Sequence, residues 1–183
     1  MDRTILAVPL AILLVAGGCK EAPVGAAGEP PAAHDPACER VADIGDINGI
    51  NDPAKFLDKG EYELILGAQL KNERGRKRLV NVAILPDLKG QSIELVARCL
   101  GNRSAAKGEI GDNDILIVLA PNERRVRIAT GTAAEADLTD KEAQKIVDDM
   151  TRTFADQRGG RIRYGRGLAT GIDAIAAQTG DAS

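Results

Sequence analysis

Acidic and amide side chains stand directly before the most apolar run that follows the N-terminal segment. Asp112, Asn113 and Asp114 precede the unbroken aliphatic stretch from Ile115 to Leu119. Carboxylate and amide oxygens are ligands that Ca²⁺ and Mg²⁺ accept, and ligands of open α/β sheets collect where strands meet loops. The pattern therefore indicates a divalent-cation site at a sheet end. The alternative is a simple turn, because Asp and Asn tolerate turn dihedrals and hydrogen-bond their own backbone.

The residue inventory excludes several kinds of site. The only histidine is His34, which lies in a Pro/Ala/Gly-rich segment outside the predicted folded domain. Ser–His–Asp and Cys–His chemistry are excluded, as are the common zinc sites built from His and Cys. No convincing nucleophile is present either. A site in this domain must be built from carboxylates, amides, backbone N–H groups and arginine, which suit hard cations and oxyanions.

Three other motifs have simpler interpretations than ligand binding. Gly165 and Gly167 before a helix suggest a phosphate loop, but the spacing is GxGxxxG without a Lys-Ser/Thr signature, so we predict a flexible loop with solvated arginines. Asp140 and Glu142 offset a helix dipole. A run of basic residues comprises Arg74, Arg76, Lys77 and Arg78. This run could contact anionic lipid, but we interpret it as a solvated loop between a helix and a strand.

Helical and strand patterns alternate along the chain. The first helix is predicted to run to about Asn72, and the second to close at Gly101 and Asn102. Strand composition is found from Leu79 to Leu85 and from Ile115 to Leu119. The first helix is predicted to bury Leu57, Leu64, Ile65 and Ala68, and the second Ile93, Val96, Ala97 and Leu100.

The second half of the domain has the clearest signals. A turn at residues 121–124 joins the apolar strand to an alternating strand, Val126 to Ala129, which predicts an antiparallel hairpin. Thr139 and Glu142 form a capping box before an amphipathic helix, and a last helix follows the glycines of YGRG. These elements predict an α/β fold, a three-layer α/β/α sandwich with a mixed central sheet that includes one antiparallel hairpin.

The N-terminus predicts an anchored envelope protein. Residues 1–18 carry a short apolar core typical of a signal peptide, and the Ala-Gly-Gly-Cys sequence ending at Cys19 resembles a lipobox, so Cys19 is the predicted lipidation site. Residues 19–37 are predicted to be a flexible Pro/Ala/Gly tether. Residues 38–178 are predicted to form the domain, and residues 179–183 are predicted to be a disordered tail. Lys20 stands where Asp would signal inner-membrane retention, which slightly favours the outer membrane and a periplasm-facing lipoprotein.

Charge and cysteine content fit that compartment. The formal net charge of −3 and the absence of Trp argue against a nucleic-acid partner. With Cys19 lipidated, Cys38 and Cys99 form an even pair in an oxidising space, which favours a disulfide. Two unrelated buried thiols are the alternative.

The order of features resembles the TPM-domain family of bacterial envelope and thylakoid-lumen proteins. The resemblance rests on INDPAKFLD, VNVAIL, IELVARCLGN, IGDNDILIVLAPNERRVRIATG and LTDKEAQKIVDDM, and on the closing YGRGLATGIDAI. It implies an α/β/α sandwich, and in some members Ca²⁺ or another divalent cation held by acidic residues at one sheet end. It also implies accessory or assembly roles in some members and weak acid-phosphatase activity in another.

Carried over residue by residue, the resemblance adds Asp52 to the candidate metal ligands. Asp112 and Asn113 match the family's acid–amide pair, and Asp114 takes the place of a frequent glycine. The family's T-G-x-G-x-E motif lacks its second glycine here, in TGTAAE from Thr130 to Glu135. The resulting prediction is a lipid-anchored binding or assembly module with an envelope protein as partner and a possible Ca²⁺ or Mg²⁺ site of Asp52, Asp112, Asn113 and Asp114. The alternative is a metal-dependent acid phosphatase.

Overall fold

The computed structural model describes residues 36–73, 78–155 and 163–180. All of them belong to one compact unit, residues 31–183. The predicted signal peptide, Cys19 and most of the predicted tether lie outside the described residues. Within the described ranges, no helix has both the length and the apolar character needed to cross a bilayer.

Four strands and four α-helices follow one another along the described chain. Two short 3₁₀ turns accompany them, at Pro36–Cys38 and Ala134–Ala136. The strands are β1 (Ile50–Asn51), β2 (Val80–Ile84), β3 (Ile115–Ala120) and β4 (Arg125–Thr130). The helices are α1 (Lys59–Glu73), α2 (Ile93–Ala106), α3 (Asp140–Ala155) and α4 (Tyr164–Gln178).

The strands form one mixed sheet in the order β1-β2-β3-β4. β1, β2 and β3 run parallel, whereas β4 pairs antiparallel with β3 and confirms the predicted hairpin. β1 has only two residues and no sequence pattern predicted it. Because β2 and β3 both begin at one end of the sheet and β4 finishes there, the loops before and after them meet at that end.

Alternating side chains of the sheet enter two separate cores. Val82, Ile84 and Ile117 face the core formed with α1, α3 and α4, while Ala83 and Val118 face the core formed with α2. α4 lies between α1 and α3 in the first helical layer. The predicted three-layer α/β/α sandwich is therefore confirmed, and both cores lie within residues 31–183.

The buried face of α1 differs from the prediction. The helix buries Ile65 and Ala68 as expected, but the other buried positions are polar, Glu61 and Asn72. Leu64 was predicted to be buried and is instead 52% exposed. The polar residues are tolerated inside because Asn72 Nδ2 donates to Asp173 Oδ1 at 2.6 Å and Glu61 accepts from two backbone N–H groups.

Helices α2 and α4 are longer than predicted. Gly101 and Asn102 lie inside α2, which continues to Ala106 because its buried face extends to Ser104. α4 begins at Tyr164, so the predicted flexible loop around Gly165 is helical and that prediction is wrong. The Gly165 N–H donates to Glu61 Oε1 at 3.3 Å. A Cβ at Gly165 would lie 2.6 Å from the Glu61 Cα, so this glycine serves close helix packing.

The capping box of α3 is confirmed. Thr139 N–H donates to Glu142 Oε2 at 2.9 Å, and Glu142 N–H donates to the Thr139 hydroxyl at 3.4 Å. The hydrogen bonds from the Thr139 hydroxyl and N–H lower the pKa of the Glu142 carboxyl. Ala143, Ile146, Val147, Met150 and Phe154 are buried, as the helical spacing predicted.

Cys38 and Cys99 form the predicted disulfide. Their Cα atoms are 5.4 Å apart, and the bond joins the start of the described chain to α2. Cys99 is buried in the second core. Arg103 supports the same junction, because its guanidinium donates to the carbonyl oxygens of Val41 at 3.1 Å and Ala42 at 3.2 Å. The segment that follows the predicted tether is thus fastened to α2 both covalently and by hydrogen bonds.

Candidate functional site

The predicted metal ligands do not converge. Asp114 directly precedes β3 and lies level with Leu79, whereas Asp52 directly follows β1 and lies level with Ile84. Five residue steps at about 3.3 Å each separate these levels by roughly 16 Å along the strands, before the lateral offset of two strands is added. The prediction that Asp52 shares a site with Asp112 is therefore wrong. In a parallel sheet, a residue after one strand and a residue before another lie at opposite ends.

Asp52 instead stabilises a local turn. Its two carboxylate oxygens accept hydrogen bonds from the N–H groups of Phe56 at 3.0 Å and Leu57 at 2.9 Å. These contacts fix the loop between β1 and α1. A carboxylate that accepts from nearby backbone N–H groups has a complete structural explanation without a metal ion.

Asp114 connects the start of β3 to its surroundings. Its Oδ1 accepts from the Leu79 N–H at 2.8 Å and its Oδ2 from the Gly111 N–H at 2.7 Å. The first contact ties β3 to the beginning of β2, and the second closes a turn. Both oxygens are therefore engaged by backbone donors, which is the turn-forming alternative recognised in the sequence.

Asp112 and Asn113 present their side chains to solvent. Their backbone carbonyls are the engaged groups: Asp112 O accepts from the N–H groups of Ala133 at 3.0 Å and Ala134 at 3.2 Å. Among the described residues, neither side chain has a hydrogen-bonding partner. A carboxylate and an amide are thus held on a fixed backbone with their oxygens available.

Arg78 is the central positive charge of this region. Its side chain is only 9% exposed. Its Nε donates to the Asn113 carbonyl at 2.9 Å, and its Nη2 donates to the Asp137 carboxylate at 2.6 Å. The guanidinium thereby joins the loop before β3 to the loop after β4. The prediction of a solvated loop is wrong for Arg78, whereas Arg74, Arg76 and Lys77 lie outside the described residues.

Gly131 permits the two loops to approach each other. Its N–H donates to the Asp114 carbonyl at 3.0 Å, and a Cβ at this position would lie 2.3 Å from the Asp112 carbonyl oxygen. Only a residue without a side chain fits that distance. We call this closely packed region, Arg78 with residues 111–114 and 131–137, the Arg78 end of the sheet.

The chemistry available at the Arg78 end follows from these contacts. Asp114 is occupied by two backbone donors, so Asp112 and Asn113 are the residues that could hold a hard cation with their side-chain oxygens. No group of three or more His, Cys, Asp or Glu side chains suited to a metal ion occurs among the described residues. Two protein ligands beside a guanidinium suit a cation held weakly, with most of its ligands supplied by water or by a partner.

A family model described as the TPM domain matches residues 50–178. The chain belongs to the TPM-domain family. The match extends from β1 to the last residue of α4 and so includes the whole sheet and the whole Arg78 end. The family model is named for a phosphatase, and a search of proteins with curated functions found no match.

Two solved structures share the fold of this TPM domain. An N-terminal domain of a protein from P. gingivalis is 25% identical, with a TM-score of 0.60, over 73% of this chain and 82% of that one. The N-terminal domain of the cg2496 protein from Corynebacterium glutamicum is 17% identical, with a TM-score of 0.56, over 79% of this chain and 87% of that one. Both are solution NMR structures.

The missing second glycine of the TPM motif has a simple structural explanation. Ala133 occupies that position with φ −78° and ψ −25°, which is ordinary right-handed helical backbone. No left-handed conformation is needed there, so alanine fits without strain. The first glycine, Gly131, is the one that the close approach requires.

Arg78 is the residue of the TPM domain's candidate site that sequence reasoning missed. It ends a run of basic residues whose neighbours all suggested a solvated loop. The useful signal was its position directly before an apolar strand. Because β2 and β3 are parallel neighbours, a residue before β2 lies beside the acidic loop before β3. That inference needs the strand pairing, which the sequence alone did not provide.

Proposed function

We propose that this protein is a lipid-anchored binding module of the bacterial cell envelope, in which the Arg78 end of the TPM domain docks on an envelope partner. The proposed anchor is a lipid on Cys19, followed by the tether of residues 19–37. The observation that carries the proposal is the fixed backbone at the Arg78 end, which presents the Asp112 carboxylate and the Asn113 amide without using them internally.

The disulfide supports the compartment. Cys38 and Cys99 are bonded in the structure, and such bonds persist in the periplasm and other oxidising spaces. The bond lies two residues after the first described residue, Pro36, so it fastens the domain close to the point where the tether joins it. This arrangement suits a domain held to a membrane by its N-terminus.

The anchor is tested by Cys19→Ser in the full-length chain. We expect the variant to leave the membrane fraction and appear in the soluble periplasmic extract, because the thiol that carries the lipid is lost. Cell fractionation and the intact mass of the mature wild-type chain measure this directly. Cys38→Ser, which affects the disulfide but not the lipobox, should stay in the membrane fraction. A mature wild-type chain whose intact mass shows no lipid, or a Cys19→Ser protein that remains there after its signal peptide has been removed, would contradict the proposed anchor.

Ca²⁺ is the ligand we assign to Asp112 and Asn113, with weak affinity. Extracellular modules with few charged ligands bind Ca²⁺ with dissociation constants of about 10⁻⁴–10⁻³ M. The buried Arg78 guanidinium lowers the attraction further, because it already neutralises part of the acidic charge. Millimolar binding matches a cation that shapes a docking surface.

The Ca²⁺ assignment predicts a melting-temperature shift in the 31–183 fragment. At ten times the dissociation constant, Ca²⁺ stabilises the native state by about 1.4 kcal/mol, which raises the melting temperature by roughly 3–5 °C for a domain of this size. Thermal melts with Ca²⁺, with Mg²⁺ and with EDTA measure it. Asp112→Asn is expected to abolish the shift.

Asp140→Asn provides the matched control for that experiment. Asp140 is also an exposed acid, with a side chain 95% exposed, but it lies at the start of α3 outside the Arg78 end. The control should retain the full Ca²⁺ response. The cation assignment would be wrong if Asp112→Asn and Asp140→Asn showed equal shifts in melting temperature. It would also be wrong if neither Ca²⁺ nor Mg²⁺ shifted the melting temperature of the wild type.

Metal-dependent phosphatase activity is the second candidate function, favoured by the phosphatase name of the matching family model. A cation at Asp112 would polarise a phosphate ester and lower the pKa of a bound water. The same fragment is assayed with p-nitrophenyl phosphate in the presence of each ion. Hydrolysis that requires the cation and is lost in Asp112→Asn would establish an enzyme; a Ca²⁺-shifted melt without hydrolysis supports the binding module.

A further inference from the structure

Several large apolar side chains of α1 are exposed. Within the residues that the structure describes, every exposed large apolar side chain lies on this helix. At the same time, the inner face of α1 buries two polar residues, Glu61 and Asn72. Grouped apolar side chains on a surface mark contact sites, whereas single ones need no explanation. The exposed side chains are Tyr62 at 42%, Leu64 at 52%, Leu66 at 37% and Leu70 at 49%.

Three of these side chains form a stripe that is closed by a charge at each end. With 3.6 residues per turn, Lys59, Tyr62, Leu66, Leu70 and Glu73 fall within an arc of about 80° around α1. Leu66 is in the middle of this arc. Tyr62 lies four residues before it and Leu70 four residues after it, while Lys59 lies seven residues before it and Glu73 seven residues after it. We call these five residues the α1 stripe.

We propose that the α1 stripe binds the α1 stripe of a second copy of this chain, with the two helices antiparallel about a two-fold axis at Leu66. The axis places Tyr62 opposite the partner's Leu70 and Lys59 opposite the partner's Glu73. Both contacts occur twice, as in any isologous interface. The stripe is self-complementary only in this antiparallel arrangement, because a parallel pair would set like charges against each other.

A cavity adjoins the C-terminal half of the α1 stripe. It has a volume of about 160 Å³ and is lined by Leu66, Gln69, Leu70 and Glu73 of α1, by Arg78, and by residues of β2 and α4. The two-fold axis brings the partner's Tyr62 to Leu70 at this cavity. Aromatic anchors in such pockets commonly dominate binding energy at interfaces. The cavity and the charge pattern therefore favour the same pairing.

The first test measures the oligomeric state of the 31–183 fragment. One helix pair buries less than the roughly 1,200–2,000 Å² of a stable interface, so we expect a reversible dimer with a dissociation constant of about 10⁻⁵ M. Sedimentation velocity at about 1 to 500 µM spans that range. Leu66→Asp, which sets two carboxylates against each other at the axis, should weaken the dimer at least about thirtyfold.

Charge exchange tests the antiparallel register. Lys59→Glu and Glu73→Lys should each weaken the dimer roughly two- to tenfold, because exposed pairs contribute modestly and each occurs twice. The double variant Lys59→Glu/Glu73→Lys restores both pairs with reversed sign and should recover most of the wild-type affinity. A double variant that is weaker than both single variants would overturn this register.

Cysteine cross-linking tests the axis itself. Helix axes about 8–10 Å apart with Cα radii near 2.3 Å bring the two copies of residue 66 to roughly 3.5–5.5 Å between Cα atoms, and the wider of these spacings lie within disulfide range. Leu66→Cys should therefore form a covalent dimer on mild oxidation. Leu64→Cys is the matched control, because Leu64 is more exposed but lies about 160° away around the helix. Equal or faster cross-linking of Leu64→Cys would indicate random collision and overturn the proposal.

If the α1 stripe binds something other than a second copy of this chain, the measurements above give different results. A fragment that stays monomeric at every concentration overturns the dimer. If that monomer also floats with phosphatidylglycerol vesicles and Leu66→Asp abolishes flotation, the stripe is a membrane-contact surface instead. The dimer and the Arg78-end proposal are tested by different variants. Leu66→Asp should keep the Ca²⁺-dependent melt, and Asp112→Asn should keep the dimer.

Discussion

Gly131→Ala is expected to lower the free energy of unfolding by about 3 kcal/mol or more. A Cβ at residue 131 would lie 2.3 Å from the carbonyl oxygen and 2.7 Å from the carbonyl carbon of Asp112. Both atoms belong to the backbone, so no side-chain rotation can relieve the overlap. The same carbonyl oxygen accepts hydrogen bonds from Ala133 and Ala134, and moving it weakens those contacts as well.

Gly111→Ala is the control for that variant, because Gly111 also lies in the Arg78 end of the sheet. A Cβ at Gly111 would meet Asp114 Oδ2 at 3.6 Å, an ordinary van der Waals contact. We expect a change within about 1 kcal/mol there. Urea unfolding of the 31–183 fragment measures both variants. If Gly131→Ala were as mild as Gly111→Ala, the Arg78 end would be flexible, and the rigid docking surface proposed for it would lose its basis.

The elements that could be predicted from sequence are those whose signals are local. The capping box of Thr139 and Glu142 lies within four consecutive residues and is formed in the structure. The hairpin of β3 and β4 needs only one short turn between two strands. The disulfide was predictable because the chain beyond Cys19 contains only Cys38 and Cys99, an even pair.

The candidate site depended on non-local information and was only partly predictable. Asp112, Asn113 and Asp114 were placed correctly at a sheet end, but Asp52 was assigned to the wrong end. Which end a residue occupies depends on whether it precedes or follows its strand, and β1 is too short to be recognised from its pattern. The contacts of Arg78 likewise depend on the parallel pairing of β2 with β3.

The outer face of α1 was mispredicted for a related reason. Leu64 was assigned to the buried side because apolar residues usually set the inner face of a helix. In α1 the inner face instead contains Glu61, whose carboxylate accepts from Gly165 N–H at the start of α4. Because Gly165 is distant from Glu61 in sequence, no local sequence pattern indicates that Glu61 is buried. Ile65 and Ala68 remain buried, whereas Leu64 and the apolar residues of the α1 stripe lie outside, and the proposed dimer uses the stripe.

Cys38→Ala/Cys99→Ala is expected to destabilise the domain by about 4 kcal/mol. The disulfide closes a loop with a sequence separation of 61 residues, and in the chain-entropy model a loop of that length restricts the unfolded chain by about this free energy. Alanine is used because serine at residue 99 would bury a hydroxyl at a position only 1% exposed. Urea unfolding of the double variant against the oxidised wild type measures the difference.

The denaturant slope tells whether this stabilisation acts through the unfolded chain. Without the cross-link the unfolded chain expands and exposes more surface, so the slope of the unfolding free energy against urea should rise as the midpoint falls. Reduced wild type should match the variant, while a reducing agent should leave the variant unchanged. If the loss were below about 1 kcal/mol with an unchanged slope, the hydrogen bonds of Arg103 to the segment at Val41 and Ala42 would hold that junction by themselves. The domain would then tolerate reduction, and the disulfide would no longer support an oxidising compartment.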